Sequence, residues 1–342
     1  MKLRLLALVI ASTLVAAACG SDDTASIDGT TITVLTHDSF AVSDSVLAEF
    51  TAQTGVVVEL LSSGDAGTMV SHAIVTSGNP LGDVMFGIDN TFLQRGLDAD
   101  LFEPYTATGL GTVVPGLDLD PDHRVTPIDF GDVCVNYWVD AAPDFTATTL
   151  EDLTNPILAD QLVVESPEAS SPGLAFLLAT IAGTDDWEQY WEDLVANGVS
   201  VTSGWEDAYY GEFIAGGGDR SYVVSYASSP AAEVIFADPP VDAAPTRVLL
   251  DSCFRQIEFA GIMRGTESPQ AAQAFIDFML TPTFQEDIPG NMFVFPAVVD
   301  TVLPPEFVEF AQLSDNPHIL DPAEIEANRN EWVDRWVEIV HG

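Results

Sequence analysis

The sequence predicts an α/β protein of two lobes with a ligand site at the ends of its strands. The chain has 342 residues, 47% of them hydrophobic, enough for a sizeable core and for two lobes. Near its start, a strand, a polar loop, a helix and a second strand follow one another, which is typical of a parallel sheet covered by helices. Ligands of open α/β sheets bind where strands end and helices begin. Residues 204–230 contain two such edges.

The 204–230 stretch combines aromatic rings, hydroxyls and carboxylates. Gly204 and Trp205 lead into a predicted helix start with acidic and tyrosine side chains at 206–210, and the predicted strand 222–226 runs into Ser228 and Ser229. Aromatic planes beside carboxylates suit a small, flat, cationic organic ligand. The alternative is that Trp205 belongs to the core and that residues 228–230 form a simple turn.

The N-terminus has the pattern of an export signal. Lys2 and Arg4 precede an apolar run from Leu5 to Ala18, which is shorter than the ~20 residues of a membrane span. Residues 1–18 are therefore predicted to be a signal peptide. Cys19 follows small residues, as in a bacterial lipoprotein cleavage site, although Ala16 stands where Leu is usual. We expect a lipid on Cys19, a tether over residues 19–29, and an extracytoplasmic location.

The charge excludes some partners. The chain carries 53 acidic and 10 basic residues, a net charge of −43. Such a surface repels nucleic acid and anionic lipid, so neither is an expected partner, and membrane contact is expected only through the anchor. Solubility in salty surroundings is the alternative reason for the charge. In either case the field favours cationic ligands.

Two cysteines remain once Cys19 is assigned to the lipid. Cys134 and Cys253 each lie in an apolar, strand-like context, and an oxidising compartment favours their pairing. We predict a disulfide between neighbouring strands; the alternative is two reduced, buried thiols.

The first lobe is predicted from the order of its elements. Strand 31–35 precedes a helix capped by Ser43 and ended by Gly55, and a second strand covers 56–61. Asp65 then precedes a further helix, where its carboxylate either caps the helix or faces a ligand.

The second lobe follows a segment at 125–140 that is predicted to cross between the lobes. Strand 161–165 leads to Ser170 and Ser171, before a Pro-Gly pair at a helix start. Their hydroxyls and the free N–H groups of the first turn can bind a polar ligand, or simply cap the helix. Further predicted elements are a helix from about 186, strands 247–250 and 253–260, a helix from 268, an aromatic loop at 292–296 and a C-terminal helix from 321.

Motifs for catalysis are not found in the sequence. Lys2 is the one lysine, so the chain after the predicted signal has neither a P-loop nor a lysine for a Schiff base. There is no Gly-x-Ser-x-Gly motif, and five scattered histidines do not form a metal-binding pattern. We therefore expect no enzyme activity, no catalytic residue, no metal and no cofactor.

Taken together, the segments resemble the thiamine-binding solute receptors of bacterial ABC importers, which have the type 2 periplasmic-binding-protein fold. The resemblance covers nearly the whole chain after the predicted signal, from residues 34–40 to the C-terminal helix. It is carried most specifically by the segments 87–90, 170–174, 204–205, 226–230 and 288–290, in their order and spacing.

This resemblance implies two lobes, each a mixed sheet flanked by helices, with a ligand cleft between them. Lobe 1 is expected to comprise 30–133 and 251–291, and lobe 2 to comprise 134–250 and 292–342. The implied function is capture of thiamine, or its phosphates, by a monomer that delivers it to an ABC importer permease. The implied ligand contacts are Asp65, Ala66, Ser170, Ser171, Trp205, Tyr226, Ala227, Ser228, Ser229, Phe293, His37 and Asp38.

Four positions depart from the family pattern. Phe293 stands in place of a Trp that stacks on the ligand, and His37 in place of a Tyr. Ala66 replaces a Gly, and Ala232 stands where a further Tyr is expected.

Three alternatives remain open. A ferric-ion receptor could use tyrosines such as Tyr209 and Tyr210 with carboxylates. A secreted serine hydrolase could use Ser170 or Ser228, which have no nearby His in sequence. The third alternative is a purely structural surface lipoprotein.

Overall fold

The structure, a computed structural model, describes residues 26–141 and 145–342. The predicted signal peptide and Cys19 lie outside the described residues.

Ten strands are described: β1 (Thr31–Thr36), β2 (Val57–Ser62), β3 (Val84–Asp89), β4 (Phe102–Glu103), β5 (Thr126–Trp138), β6 (Leu162–Glu165), β7 (Ser200–Thr202), β8 (Tyr222–Tyr226), β9 (Thr246–Met263) and β10 (Phe295–Pro296). The predicted pair of strands at 247–260 is in fact one long strand, β9. An irregularity in its pairing with β5 replaces the predicted break.

The α-helices that the structure describes connect or follow these strands: α1 (Asp44–Thr54), α2 (Ala66–Val75), α3 (Leu93–Asp98), α4 (Ser171–Gly183), α5 (Trp187–Ala196), α6 (Ser229–Ile235), α7 (Pro269–Met279), α8 (Pro282–Gln285), α9 (Ile288–Asn291), α10 (Pro305–Phe310) and α11 (Pro322–His341). Among them, none combines the length and the apolar character that a membrane span requires.

The strands form one mixed sheet in the order β2-β1-β3-β9-β5-β8-β6-β7, with β4 on β9 and β10 on β5. Parallel pairs lie towards both ends, β1 with β2 and β3, and β6 with β7 and β8. The antiparallel pair β5 and β9 joins them. We call the part around β1–β3 the first half and the part around β6–β8 the second half.

The strands β5 and β9 belong to both halves. The C-terminal part of β9, Glu258–Ile262, pairs with β3 of the first half. The C-terminal part of β5, Val133–Tyr137, pairs with β8 of the second half. The predicted crossing at 125–140 therefore corresponds to β5, and β9 is a second crossing beside it. The exact lobe bounds given above remain a prediction.

A disulfide fastens the two crossing strands. Cys134 and Cys253, the predicted pair, are bonded, with their Cα atoms 4.2 Å apart. The bond lies at the irregularity between β5 and β9, where Val133 pairs with Phe254 but Val135 pairs with Leu249. Both cysteines are fully buried with Ala227.

Candidate functional site

The site is a cavity of about 340 Å³ between the two halves. The first half contributes the loop after β1 and the start of α2. The second half contributes the start of α4, residues 205–215, the end of β8 and α6. β9 forms the floor, and residues 291–294 close one side. Strand ends and helix starts meet here, as expected for an α/β sheet.

Asp65 links the two halves across the cavity. It is the N-cap of α2, and its Oδ1 accepts hydrogen bonds from the N–H of Ala66 (2.6 Å) and of Ser171 at the start of α4 (3.2 Å). Its Oδ2 accepts from the N–H of Trp205 at 3.4 Å. Burial, with a smaller effect of Asp38, raises the pKa of Asp65, and the bonds from Ser171 and Ala66, together with His37, oppose the shift. One carboxylate thus fastens two elements of the second half to the first.

Three acidic residues lie side by side on adjacent strands under the cavity. Glu258 on β9 is in register with Asp89 on β3 and with Asp129 on β5. Asp89 is fully buried and accepts hydrogen bonds from Thr91, Gln256 and Ser171. It therefore holds Gln256 and Ser171, which line the cavity, in fixed positions.

The other two carboxyl groups are those of Glu258, which lies beside His37, and of Asp129, which lies opposite Glu258 on β5. Burial, together with Glu258, raises the pKa of Asp129 well above its usual value, which favours its neutral form beside Glu258. Burial raises the pKa of Glu258, but His37 outweighs this effect and lowers it. His37 Nε2 lies 3.3 Å from Glu258 Oε1. Burial lowers the pKa of His37, yet Glu258 and other carboxylates raise it overall, which favours the charged imidazolium beside Glu258.

A glycine makes room for His37. Gly87 has φ +96° at an irregularity in the pairing of β3 with β9, and a Cβ there would overlap the His37 ring. This close approach explains why the sequence has Gly inside an otherwise apolar strand.

The second half provides an aromatic wall. Trp205 stacks on Tyr209, with ring centroids 5.1 Å apart and planes at 23°, and meets Tyr210 edge-on at 5.4 Å. The indole N–H of Trp205 donates to Ser225 Oγ at 2.9 Å, and Ser225 hydrogen-bonds to Ser229 at 2.9 Å. These contacts fix the indole plane at the cavity.

Two further carboxylates belong to this wall. Glu206 is exposed beside the cavity, and Glu233 on α6 accepts a hydrogen bond from the hydroxyl of Tyr209. Burial raises the pKa of both, and for Glu206 the nearby Asp38 adds to the effect. The cavity therefore combines aromatic faces with carboxylates, an arrangement that attracts an organic cation.

Of the twelve residues implied as ligand contacts, nine line this cavity: His37, Asp38, Asp65, Ala66, Ser171, Trp205, Tyr226, Ser229 and Phe293. Their contact with a ligand remains a prediction. Trp205, Tyr226 and Asp65 share one cleft, as the resemblance implied.

The remaining three implied contacts do not line the cavity. Ser170 is fully buried as the N-cap of α4, where its Oγ accepts from Gly173 N–H at 3.4 Å. Ala227 is buried against the disulfide. Ser228 is turned away, and its hydroxyl donates to the carbonyl of Phe293. Each supports a neighbour of the cavity.

The acidic stretch at 206–210 that the sequence analysis singled out contributes Glu206 to the lining, but sequence reasoning missed Glu233, Phe236, Gln256 and Glu258. Glu233 lies in α6 and Phe236 follows its last residue, and the sequence analysis predicted no helix there. Pro at the first turn of this helix was a usable signal. Gln256 and Glu258 lie in an apolar strand, and only the pairing of distant strands brings them here.

Tyr209 and Tyr210, the tyrosines named in the ferric-ion alternative, also line the cavity. Tyr209 is buried and also packs on Phe213. Tyr210 is 60% exposed. The two residues lie in a π-helical turn, Asp207–Glu212, rather than in the α-helix predicted there.

Comparisons with known proteins relate the chain to a family of solute-binding proteins. The model of a family described as bacterial extracellular solute-binding protein matches residues 79–327. The thiamine-binding periplasmic proteins of Salmonella typhimurium and Escherichia coli are 28% and 29% identical to the chain over 315 residues. Each match covers 90% of this chain and 93% of the relative.

Solved structures agree with the fold. A periplasmic thiamin binding protein superposes with a TM-score of 0.81 at 28% identity, covering 91% of this chain and 96% of that one. The ferric binding protein from Campylobacter jejuni gives a TM-score of 0.74 at 18% identity, covering 90% and 99%, which shows a shared fold alone. The predicted two-lobed type 2 periplasmic-binding-protein fold is confirmed. Since the family model spans most of its length, the chain belongs to the bacterial extracellular solute-binding proteins.

Proposed function

We propose that this protein captures thiamine between its two lobes and delivers it to the permease of an ABC importer. The observation that carries the proposal is the cavity of about 340 Å³, where aromatic faces and carboxylates converge. The similarity to thiamine-binding periplasmic proteins over 90% of the chain supports the same ligand.

The chemistry of thiamine matches this lining. One of its rings carries a permanent positive charge, and the other is a flat aminopyrimidine. Trp205, Tyr226 and Phe293 offer faces to these rings, each cation–π contact contributing about 0.5–2 kcal/mol. Asp65 and Glu206 offset the charge.

Polar groups at the floor complement the aminopyrimidine. Ser171 and Gln256 are held by the buried Asp89, and Glu258 by His37. Groups fixed before a ligand arrives lose little freedom on binding, and this preorganisation favours affinity.

Lobe closure completes the binding site. The hydrogen bonds from Ser171 and Trp205 to Asp65 join the halves in a closed arrangement. We propose that β5 and β9 act as the hinge and that the closed surface is what the permease recognises. In this role the protein is a receptor rather than an enzyme. It works outside the cytoplasm as a monomer with Cys19 as its lipid anchor.

Isothermal titration of the chain without residues 1–19 tests the proposal. We expect a thiamine Kd below 1 μM, equivalent to about 8 kcal/mol or more. Ferric citrate, titrated separately, is expected to produce no heat of binding. The described residues 26–141 and 145–342 contain no group of three His, Cys, Asp or Glu side chains placed to hold a metal. Absence of thiamine binding, or tight ferric binding, contradicts the proposal.

A further inference from the structure

His37 is the one basic side chain among the described residues that line the cavity. Its Nε2 lies 3.3 Å from Glu258 Oε1, and the residue is only 8% exposed. In the described part of this lining there is neither Lys nor Arg. A cavity proposed to receive a cation therefore holds a single group that can itself become a cation.

Carboxyl groups surround His37 on several elements. They are Glu258 on β9, Asp65 before α2, Asp38 in the same loop as His37, and Glu206 after β7, with Asp129 on β5 opposite Glu258. Burial lowers the pKa of His37, and Glu258, Asp65 and Asp38 raise it overall. These carboxylates give the imidazole its affinity for a proton, because they stabilise a positive charge at this place.

A bound cation competes with the imidazolium for the same carboxylates. A cavity of about 340 Å³ is about 7 Å across, and at an effective dielectric constant of about 20 a unit charge at that distance changes the proton affinity of an imidazole at least about tenfold. The ligand also displaces water from around the ring, and this loss of hydration disfavours the charged form further. Both effects lower the pKa of His37 when a cation binds.

We propose that the charge of thiamine replaces the charge of His37, so that binding releases the His37 proton to the solvent. This inference rests on the proposed function and deepens it, since it assigns His37 as the residue that couples ligand affinity to pH. Between the pKa of His37 in the complex and its pKa in the free protein, the free protein binds more protons. Thiamine affinity therefore rises with pH across this interval and is independent of His37 outside it.

Titration calorimetry in phosphate, HEPES and ACES buffers counts the released protons, because these buffers differ in their heat of protonation. At about pH 7 we expect at least about 0.3 proton to be released per thiamine bound, and from about pH 6 to pH 8 we expect the Kd to fall at least about threefold. Thiamine keeps its permanent charge over this range, so the change reports on the protein.

Variants identify the source of the proton. His37→Gln removes the titrating ring, so the proton release and the rise of affinity with pH are expected to fall to near zero. His37→Tyr, which restores the residue type of the family pattern, is expected to do the same, because a phenol stays neutral in this range. His72→Gln, at an exposed position on α2 outside the cavity lining, is the matched control and keeps both effects. The count is taken per thiamine bound, so weaker affinity in a variant does not affect it.

Proton NMR of the imidazole rings follows the group directly in the wild type. The chain has five histidines, so the signals are few, and the His37 signal is the one missing from His37→Gln. We expect saturating thiamine to move the titration midpoint of His37 to lower pH and to leave that of His72 in place.

The outcomes distinguish the two proposals. If thiamine itself does not bind, the proposed function fails. If thiamine binds without proton release, or if the His37 midpoint does not move, the function stands and the inference is overturned. Release that persists in His37→Gln also overturns it, since the proton then comes from a buried carboxyl group such as that of Asp129.

Discussion

Ser228 holds Phe293 in place at the edge of the cavity. Its hydroxyl donates a hydrogen bond to the Phe293 carbonyl, and Phe293 has φ +56°, a left-handed conformation that costs a non-glycine residue about 1–3 kcal/mol. The ring of Phe293 meets Phe236 edge-on at 5.1 Å and lines the cavity. Ser228 thus contributes to the site by positioning a ring.

Ser228→Ala tests this relationship. Loss of the hydrogen bond leaves a partly buried carbonyl without its donor, so we expect about 1–2 kcal/mol lower unfolding free energy in urea and several-fold weaker thiamine binding. Ser314→Ala is the control, since its hydroxyl also donates to a backbone carbonyl, that of Leu250, away from the cavity. Equal thiamine affinity in both variants contradicts a positioning role.

Trp205 is the central ring of the aromatic wall. Its indole stacks on Tyr209 and is fixed by Ser225, so a bound ligand ring contacts a rigid surface. We expect Trp205→Ala to weaken thiamine binding at least about tenfold, through the loss of a cation–π contact. Thiamine is also expected to quench the fluorescence of the protein. This quenching is lost in Trp205→Phe and kept in Trp187→Phe, outside the cavity lining.

Gly87 provides a test of the His37 position. In Gly87→Ala the new methyl group overlaps the His37 ring at a backbone with φ +96°, so both stability and thiamine affinity are expected to fall. Gly78→Ala is the matched control. It has φ +85° but nothing within 4 Å of the added Cβ, so it is expected to lose stability alone. Thermal melts and titrations of both variants separate backbone strain from displacement of His37.

Local patterns explain why much of the fold could be predicted from the sequence. Helix α4 begins at the residue after Ser170 because its cap, its proline and its apolar run all lie within one short segment. The β1-α1-β2 unit is marked in the same way by Ser43 and Gly55. Eight of the nine lining residues that the resemblance implied lie in loops or helix starts, and Tyr226 ends strand β8.

The floor of the cavity could not be predicted in this way. Glu258 lies in an apolar strand. Its place under the cavity depends on the strand register that sets it beside Asp89 and Asp129, residues about 170 and 130 positions away. Long β9 was divided in two by the prediction because Asp251 and Ser252 interrupt its apolar pattern. In the structure they lie at the irregularity beside the disulfide, where Ser252 Oγ accepts from Val135 N–H at 2.7 Å.

Glu165 predicts a pH dependence of stability. It is 1% exposed, its carboxyl oxygens have no hydrogen-bond partner among the described residues, and burial, with the nearby Asp65, raises its pKa well above the usual value. Between the unfolded and the folded pKa, the folded state binds more protons, so stability falls as pH rises. We expect Glu165→Gln to remove the part of this pH-dependent loss of stability that the Glu165 carboxyl group causes.

Urea denaturation at several pH values measures the effect. Near pH 4, about the unfolded pKa of Glu, the wild type and Glu165→Gln are expected to have similar stabilities. The variant gains relative to wild type as pH rises towards 8. The control Glu192→Gln, on an exposed position, shows no such trend. A constant difference between Glu165→Gln and wild type at all pH values contradicts the assignment.

The disulfide closes a loop with a sequence separation of 119 between Cys134 and Cys253. Because a crosslink across a long loop restricts the unfolded chain, reduction is expected to lower the unfolding free energy by about 2–5 kcal/mol. Denaturation in urea with and without a reductant measures this loss. In the Cys134→Ala/Cys253→Ala variant the reductant should have no effect. An equal response of variant and wild type would mean that the reductant acts elsewhere, and an unchanged wild type would mean that the bond between β5 and β9 does not stabilise the fold.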